Sequence, residues 1–164
     1  MLIALVVSER IAELVVSKRH AAWAFARGGI EHGRGHYPPM VVLHTALLIG
    51  CLVEVFGADR AFNPWLGWPM LAVVLAAQAL RWWCIVSLGT LWNTRVIVTP
   101  GIPLVQRGPY RWIAHPNYVA VVLEGIALPL VHSAWITAAV FTALNAWLLS
   151  VRIRTENAAL DSVR

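Results

Sequence analysis

The sequence predicts an all-α, polytopic membrane protein of about five transmembrane helices, the last two forming a C-terminal hairpin. Three observations carry this reading. Of 164 residues, 59% are hydrophobic and only 13% charged, whereas a soluble domain has about a quarter charged. The apolar residues fall in runs of membrane length. Lysines and arginines gather in alternate connections between those runs. Residues 1–164 are expected to form one domain, with three spans in 1–88 and a loop, hairpin and tail in 89–164.

The first span, Met1 to about Val16, is the weakest, because Glu9, Arg10 and Glu13 interrupt it. Glu9, Glu13 and His20 recur at helical spacing, which fits a polar stripe turned toward other helices. A secretory signal peptide competes with this reading, but acidic residues in the apolar stretch and the lack of a small-residue cleavage site argue against it. Pro38 to Phe56 and Trp65 to Leu88 approach or exceed the roughly 20 apolar residues a crossing needs. Asn117 to Val131 and Ala134 to Val151 follow, separated only by His132 and Ser133, so they must run antiparallel.

Basic residues orient the chain. Lys18, Arg19, Arg27 and Arg34 lie in the first connection, Arg95, Arg107 and Arg111 in the third, and Arg152, Arg154 and Arg164 in the tail. Five spans with a cytoplasmic C-terminus give this alternation. The formal net charge of +5 is dispersed between apolar runs, which suits lipid headgroups and not nucleic acid. Cys51 and Cys84 lack metal or redox-motif spacing and read as buried thiols. No feature assigns an oligomeric state.

The longest non-spanning stretch, Gly89 to His115, contains Pro100, Gly101, Pro103, Gly108 and Pro109, so it is not one continuous helix. It reads either as an ordinary interfacial loop or as a rigid loop offering backbone groups to a ligand. Pro116 falls at a helix N1 position, and the orphan N–H groups beyond it favour an anion. Asn117, Val121 and Glu124 share one helical face. A charge within a span costs about 2.5–3.5 kcal/mol on insertion scales, so Glu124 is expected to face protein or a wet cavity. It reads equally as a structural carboxylate, with Asn145 as one candidate neighbour, or as a ligand contact. Counting back from the hairpin turn brings Glu156 level with Pro109 and Tyr110, with Arg152 one turn before it on the same face. That pair is either an intrahelical ion pair worth ~0.3–0.5 kcal/mol or a cation and a carboxylate for a ligand. His32 and His36 with Glu31 can be read as metal ligands. Their glycine-rich setting, and no third ligand fixed by spacing, favour an interfacial loop instead. His44 and Glu54 read as internal hydrogen-bonding groups.

The stretch "GPYRWIAHPNY", then an apolar hairpin and "RIRTENAAL", resembles the isoprenylcysteine carboxyl methyltransferase family. The resemblance covers about the last 75 residues, from "LGTLWNTRVIV" onward. It implies an integral-membrane enzyme using S-adenosylmethionine, with its active site on the cytoplasmic side. Ile102, Pro103, Leu104 and Val105 would wrap the cofactor as a loop. Tyr110, His115, Pro116, Asn117, Tyr118 and Glu156 would contact it, and Arg152 would be the catalytic cation that orients the substrate. Glu124 is carried as a further substrate-binding candidate. Two departures stand out: Ala114 replaces the Arg of the family's RHP, and Asn157 interrupts its acidic pair. The chain also lacks the family's longer basic-aromatic tail.

Such an enzyme would methylate an anionic oxygen, because a carboxylate or ionised enol needs no general base. The substrate would be lipophilic, either a prenylated cysteine carboxylate or the hydroxyl of a long-chain polyketide such as an alkylpyrone or alkylresorcinol. Two other classes compete. A sterol-reductase-type NADPH enzyme would need a site for the 2′-phosphate, and no dedicated phosphate loop is visible. A non-catalytic scaffold would leave the co-occurring motifs to coincidence.

Overall fold

A computed structural model of the chain describes residues 1–161. Arg164, counted above among the tail's basic residues, lies outside them. Five α-helices account for most of the fold: α1 (Leu2–Phe25), α2 (Tyr37–Gly57), α3 (Pro64–Leu88), α4 (Pro116–Leu130) and α5 (Trp135–Asp161). Two three-residue strands, β1 (Ile30–His32) and β2 (Val96–Val98), add an antiparallel ribbon to the expected all-α class. Ile30 pairs with Val98 and His32 with Val96. Strands this short carry no readable alternation.

Among the described residues, three helices are long and apolar enough to cross a membrane: Arg34–Gly57, Pro64–Leu91 and Trp135–Asp161. α1 carries Glu9, Arg10, Glu13, Lys18 and Arg19, and α4 has only 15 residues. In the first of the three spans, only 17% of the most apolar window is buried inside the protein. Val42, Val53, Leu75, Val86 and Trp147 all point outward, as a bundle solvated by lipid requires.

Local chemistry fixes each helix. Asn63 caps α3, its side chain accepting from the Trp65 N–H at 3.1 Å, and Pro64 takes the first helical position. The N-terminus of α5 is capped by another helix. Glu54 of α2 accepts from the Thr137 backbone N–H (2.7 Å), the Thr137 hydroxyl (2.8 Å) and the Ile136 N–H (3.2 Å). A carboxylate there satisfies orphan donors and complements the helix dipole. α4 and α5 form the expected hairpin, turning at His132 and Ser133, where Ser133 adopts a left-handed φ of 57°. Gly125 lets them close. A Cβ at that position would sit 2.1 Å from the Phe141 ring.

α1 joins the bundle through charge. Val6, Glu13, Ser17, Ala21 and Ala24 form its buried stripe. Arg10 donates to both oxygens of Glu124 on α4 (2.9 and 2.8 Å) and also bonds Glu13. Arg81 of α3 pairs with Glu124 and lies 3.5 Å from Glu13. Gln78 donates to Glu124 at 3.3 Å and also bonds Glu9, which in turn accepts from the Trp82 indole at 2.8 Å. The polar stripe expected on the first helix is therefore real, and α3 and α4 are what it faces. Glu124 has Arg10 and Arg81 as neighbours; Asn145 is not among its hydrogen-bond partners.

The cluster predicts an order of destabilisation. Arg81→Leu leaves Glu13 and Glu124 to share Arg10 as their one cation, at a site where the Arg81 side chain is 6% exposed, a loss of about 3–5 kcal/mol. Arg10→Leu, where the side chain is 19% exposed and Arg81 still holds Glu124, should cost clearly less. Thermal unfolding of the two variants in detergent should show that order, and equal midpoints would contradict it.

Candidate functional site

Helices α1 to α5 and the loop after α3 enclose a cavity of about 560 Å³. Its wall includes Ile102, Pro103, Leu104, Val105, Tyr110, His115, Asn117, Tyr118, Glu124, Arg152 and Glu156. Every sequence-derived site residue thus reaches one space, except Pro116. That proline is fully buried at the first position of α4 and stands outside the cavity wall, so its place is that of a helix starter.

The start of α4 and the end of α5 build the most polar part. The Tyr118 hydroxyl donates to Glu156 Oε2. Arg152 Nε reaches the same hydroxyl at 3.5 Å. Tyr118 therefore stands between the cation and the carboxylate, and the simple intrahelical pair between Arg152 and Glu156 is replaced by this bridge. Arg152 is only 4% exposed. Its Nη2 donates to the Thr94 carbonyl (2.9 Å) and its Nη1 to the Met40 sulfur (3.0 Å), which fixes the plane of the guanidinium.

His115 stacks on Tyr118 with ring centroids 5.4 Å apart. Its Nδ1 lies 3.6 Å from Glu156 Oε1 and its Nε2 is 3.0 Å from Asn157 Oδ1. Both ring nitrogens meet oxygen acceptors, which favours the imidazolium. The His115 pKa accordingly rises above 6.5, first through the hydrogen bond to Glu156, against the opposing pull of burial. Asn157, one of the two departures from the family pattern, is thereby a partner of His115. Ala114, the other, lines the cavity and is exposed. Tyr110 lies against Cys84, and burial pushes its phenol pKa well up, so it stays neutral.

Several residues that position the site were not singled out from sequence. Ser17 of α1 donates to Asn93 Oδ1 (2.9 Å) and accepts from the Thr94 N–H (3.0 Å), while Asn93 donates to the Ser17 carbonyl (3.1 Å). Thr94 is the residue whose carbonyl holds Arg152. The ribbon continues this path, since Val96 and Val98 pack on Ala159 of α5. Glu31 in β1 pairs with Arg34 (3.3 Å) and Arg95 (3.5 Å), so the stretch read as an interfacial loop is tied to the cavity rim. Gly108 allows the loop to cross α3 closely. A Cβ there would meet Ser87 Oγ at 2.0 Å, and its φ is 58°. Arg107 Nε locks the crossing by donating to the Ser87 carbonyl at 2.8 Å.

The wall also holds polar atoms with no partner among the described residues: Trp92 Nε1, Thr99 Oγ1 and Asn117 Oδ1. An unmet buried donor or acceptor costs about 1–3 kcal/mol, so these atoms suit a polar ligand. The volume and this mix of donors and acceptors suit a small-molecule ligand with polar groups.

Residues 70–162 match the model of the isoprenylcysteine carboxyl methyltransferase (ICMT) family. The chain is 40% identical to the uncharacterized protein YpbQ of Bacillus subtilis strain 168, covering 98% of this chain and 95% of that one. It is 26% identical to an uncharacterized protein of Haemophilus influenzae, covering 96% and 92% respectively.

The His115 geometry predicts a pH response. A raised folded pKa means that the Glu156 contact is complete below about pH 6.5 and is lost as pH rises through the higher folded value. Histidine NMR titration should place the His115 midpoint above 6.5, and Glu156→Gln should bring it down. A midpoint unmoved by that substitution would show that the contact does not set the protonation state.

Proposed function

The chain belongs to the isoprenylcysteine carboxyl methyltransferase family of membrane methyltransferases, and from that premise we propose an S-adenosylmethionine-dependent O-methyltransferase acting on a lipophilic substrate. The observation that carries the reading is the convergence of Arg152, Tyr118, Glu156 and His115 on one cavity wall, with Tyr118 bridging cation and carboxylate. In this reading the cavity mouth faces the cytoplasm, on the basic side of the membrane.

S-adenosylmethionine supplies an electrophilic methyl group. The chain's own residues do the rest. The loop 102–105, Tyr110, His115, Asn117 and Tyr118 hold the cofactor, and Glu156 anchors it from α5. Arg152 presents the acceptor oxygen. Three of the five N–H donors of its guanidinium are directed to Thr94, Met40 and Tyr118, leaving two for substrate. A fixed cation beside the acceptor lowers the acceptor's pKa and holds it as the anion, so no base is required. Leu47, Leu48, Val41, Phe141 and Leu148 in the wall suit an aliphatic substrate body. Both a prenylated cysteine carboxylate and an enolic or phenolic hydroxyl on a long alkyl chain meet these demands.

Purified protein should bind S-adenosylhomocysteine and not NADPH, and Glu156→Gln or His115→Ala should weaken that binding at least about tenfold. Arg152→Lys loses the planar fork and should reduce methyl transfer more than cofactor binding. NADPH binding without either methyl-donor form would overturn the reading. Radiolabel transfer to N-acetyl farnesylcysteine against alkylpyrone acceptors separates the two substrate classes.

A further inference from the structure

Polar groups in the cavity fall into two layers. The outer layer is the Arg152, Tyr118, Glu156 and His115 wall described above. The inner layer is Arg10 and Glu13 of α1, Arg81 of α3 and Glu124 of α4, all of which line the same space. Glu124 lies six residues beyond Tyr118 on α4, about 9 Å deeper at ~1.5 Å per residue. Apolar side chains, Leu47, Val121 and Leu148 among them, line the wall as well.

Hydrogen bonding in the inner layer is incomplete. Glu13 Oε1 and Arg81 Nε stand 3.5 Å apart as an ion pair, yet neither atom makes a hydrogen bond to a described residue. Asn145 Oδ1, on α5 and also in the cavity wall, has none either. The three residues are 3%, 5% and 3% exposed, so bulk water does not serve them. A purely structural ion cluster gains nothing from leaving these atoms unmet, because each costs free energy when buried.

The unmet set defines a ligand group. Arg81 offers one donor, and Glu13 offers an acceptor beside it. A hydroxyl accepts from the first and donates its single hydrogen to the second. A carboxylate would be repelled by Glu13, an ammonium would face Arg81, and a methylene would satisfy neither. We propose that this inner layer is a subsite for a hydroxyl group carried on the body of the substrate, deeper in the cavity than the oxygen that is methylated. The subsite rests on the methyltransferase reading for the identity of that outer oxygen. It restricts the substrate to hydroxylated amphiphiles and disfavours a plain hydrocarbon tail.

The test uses the full chain in detergent and a set of amphiphiles with one head group and one chain length. One has an unsubstituted chain and the others carry a single hydroxyl at successive positions. Binding is measured without methyl donor, so it reads the subsite alone. The expected result is a maximum at one chain position, about tenfold tighter than the unsubstituted chain. Glu13→Gln, which exchanges the acceptor's charge while keeping its shape, should flatten that maximum. Should this variant not fold, the position scan on the unaltered chain decides alone. Equal binding at every position would overturn the subsite and assign its atoms to ordered water. Label transfer from S-adenosylmethionine to the same amphiphiles is scored separately. A binding maximum without any transfer would sink the methyltransferase reading and leave the subsite standing.

Discussion

One buried carboxylate organises this molecule. Glu124 sits in the middle of a short apolar helix, and its charge is tolerable only because guanidiniums from two other helices reach it. α1, α3 and α4 are thereby committed to one arrangement, since each would leave an unpaired charge in an apolar setting if it moved away. Apolar contacts alone would not impose this, because lipid tails compete equally well for leucine and valine faces. The cavity follows from the same constraint. The ion cluster itself forms part of the wall of the roughly 560 Å³ between the helices.

The outer part of that space is assembled from remote pieces of chain. Arg152 comes from the last helix, yet its guanidinium is aimed by a carbonyl in the loop after α3, and that loop is held by a serine on the first helix. The ribbon of β1 and β2 ties a second point of the same loop to the connection after α1. The loop is held at Thr94, whose N–H and C=O are both bonded, one to α1 and one to α5. A guanidinium aimed from so fixed a carbonyl suits a reaction in which alignment does most of the work.

How far the sequence revealed this depends on the range of the interaction. Pro116 as a helix starter, the tight turn at His132 and Ser133, and the shared face of Arg152 and Glu156 are local, and each was legible. Counting from the hairpin turn brought Glu156 to the level of Pro109 and Tyr110, whereas its bonded partners are Tyr118 and His115 at the start of α4. What lay out of reach was pairing across long separations. Nothing in the spacing of Ser17, Asn93 and Thr94 announces their contact, and Glu124 gave no sign that its partners would be Arg10 and Arg81. The ribbon was missed because three-residue strands are too short for a two-residue period to show. The count of spans is the other difference: α1 is too charged, and α4 too short, to meet the length and apolarity that three helices satisfy.

Arg10 and Ser17 sit seven residues apart on α1, close to two full turns, so both point the same way. One is fastened to the inner ion cluster, the other to the loop that aims Arg152. The first helix is therefore a ruler about 10 Å long, and it sets the depth at which a bound molecule can span from floor to rim. Chain length between these two anchors, with Glu13 kept between them, is what this segment must preserve.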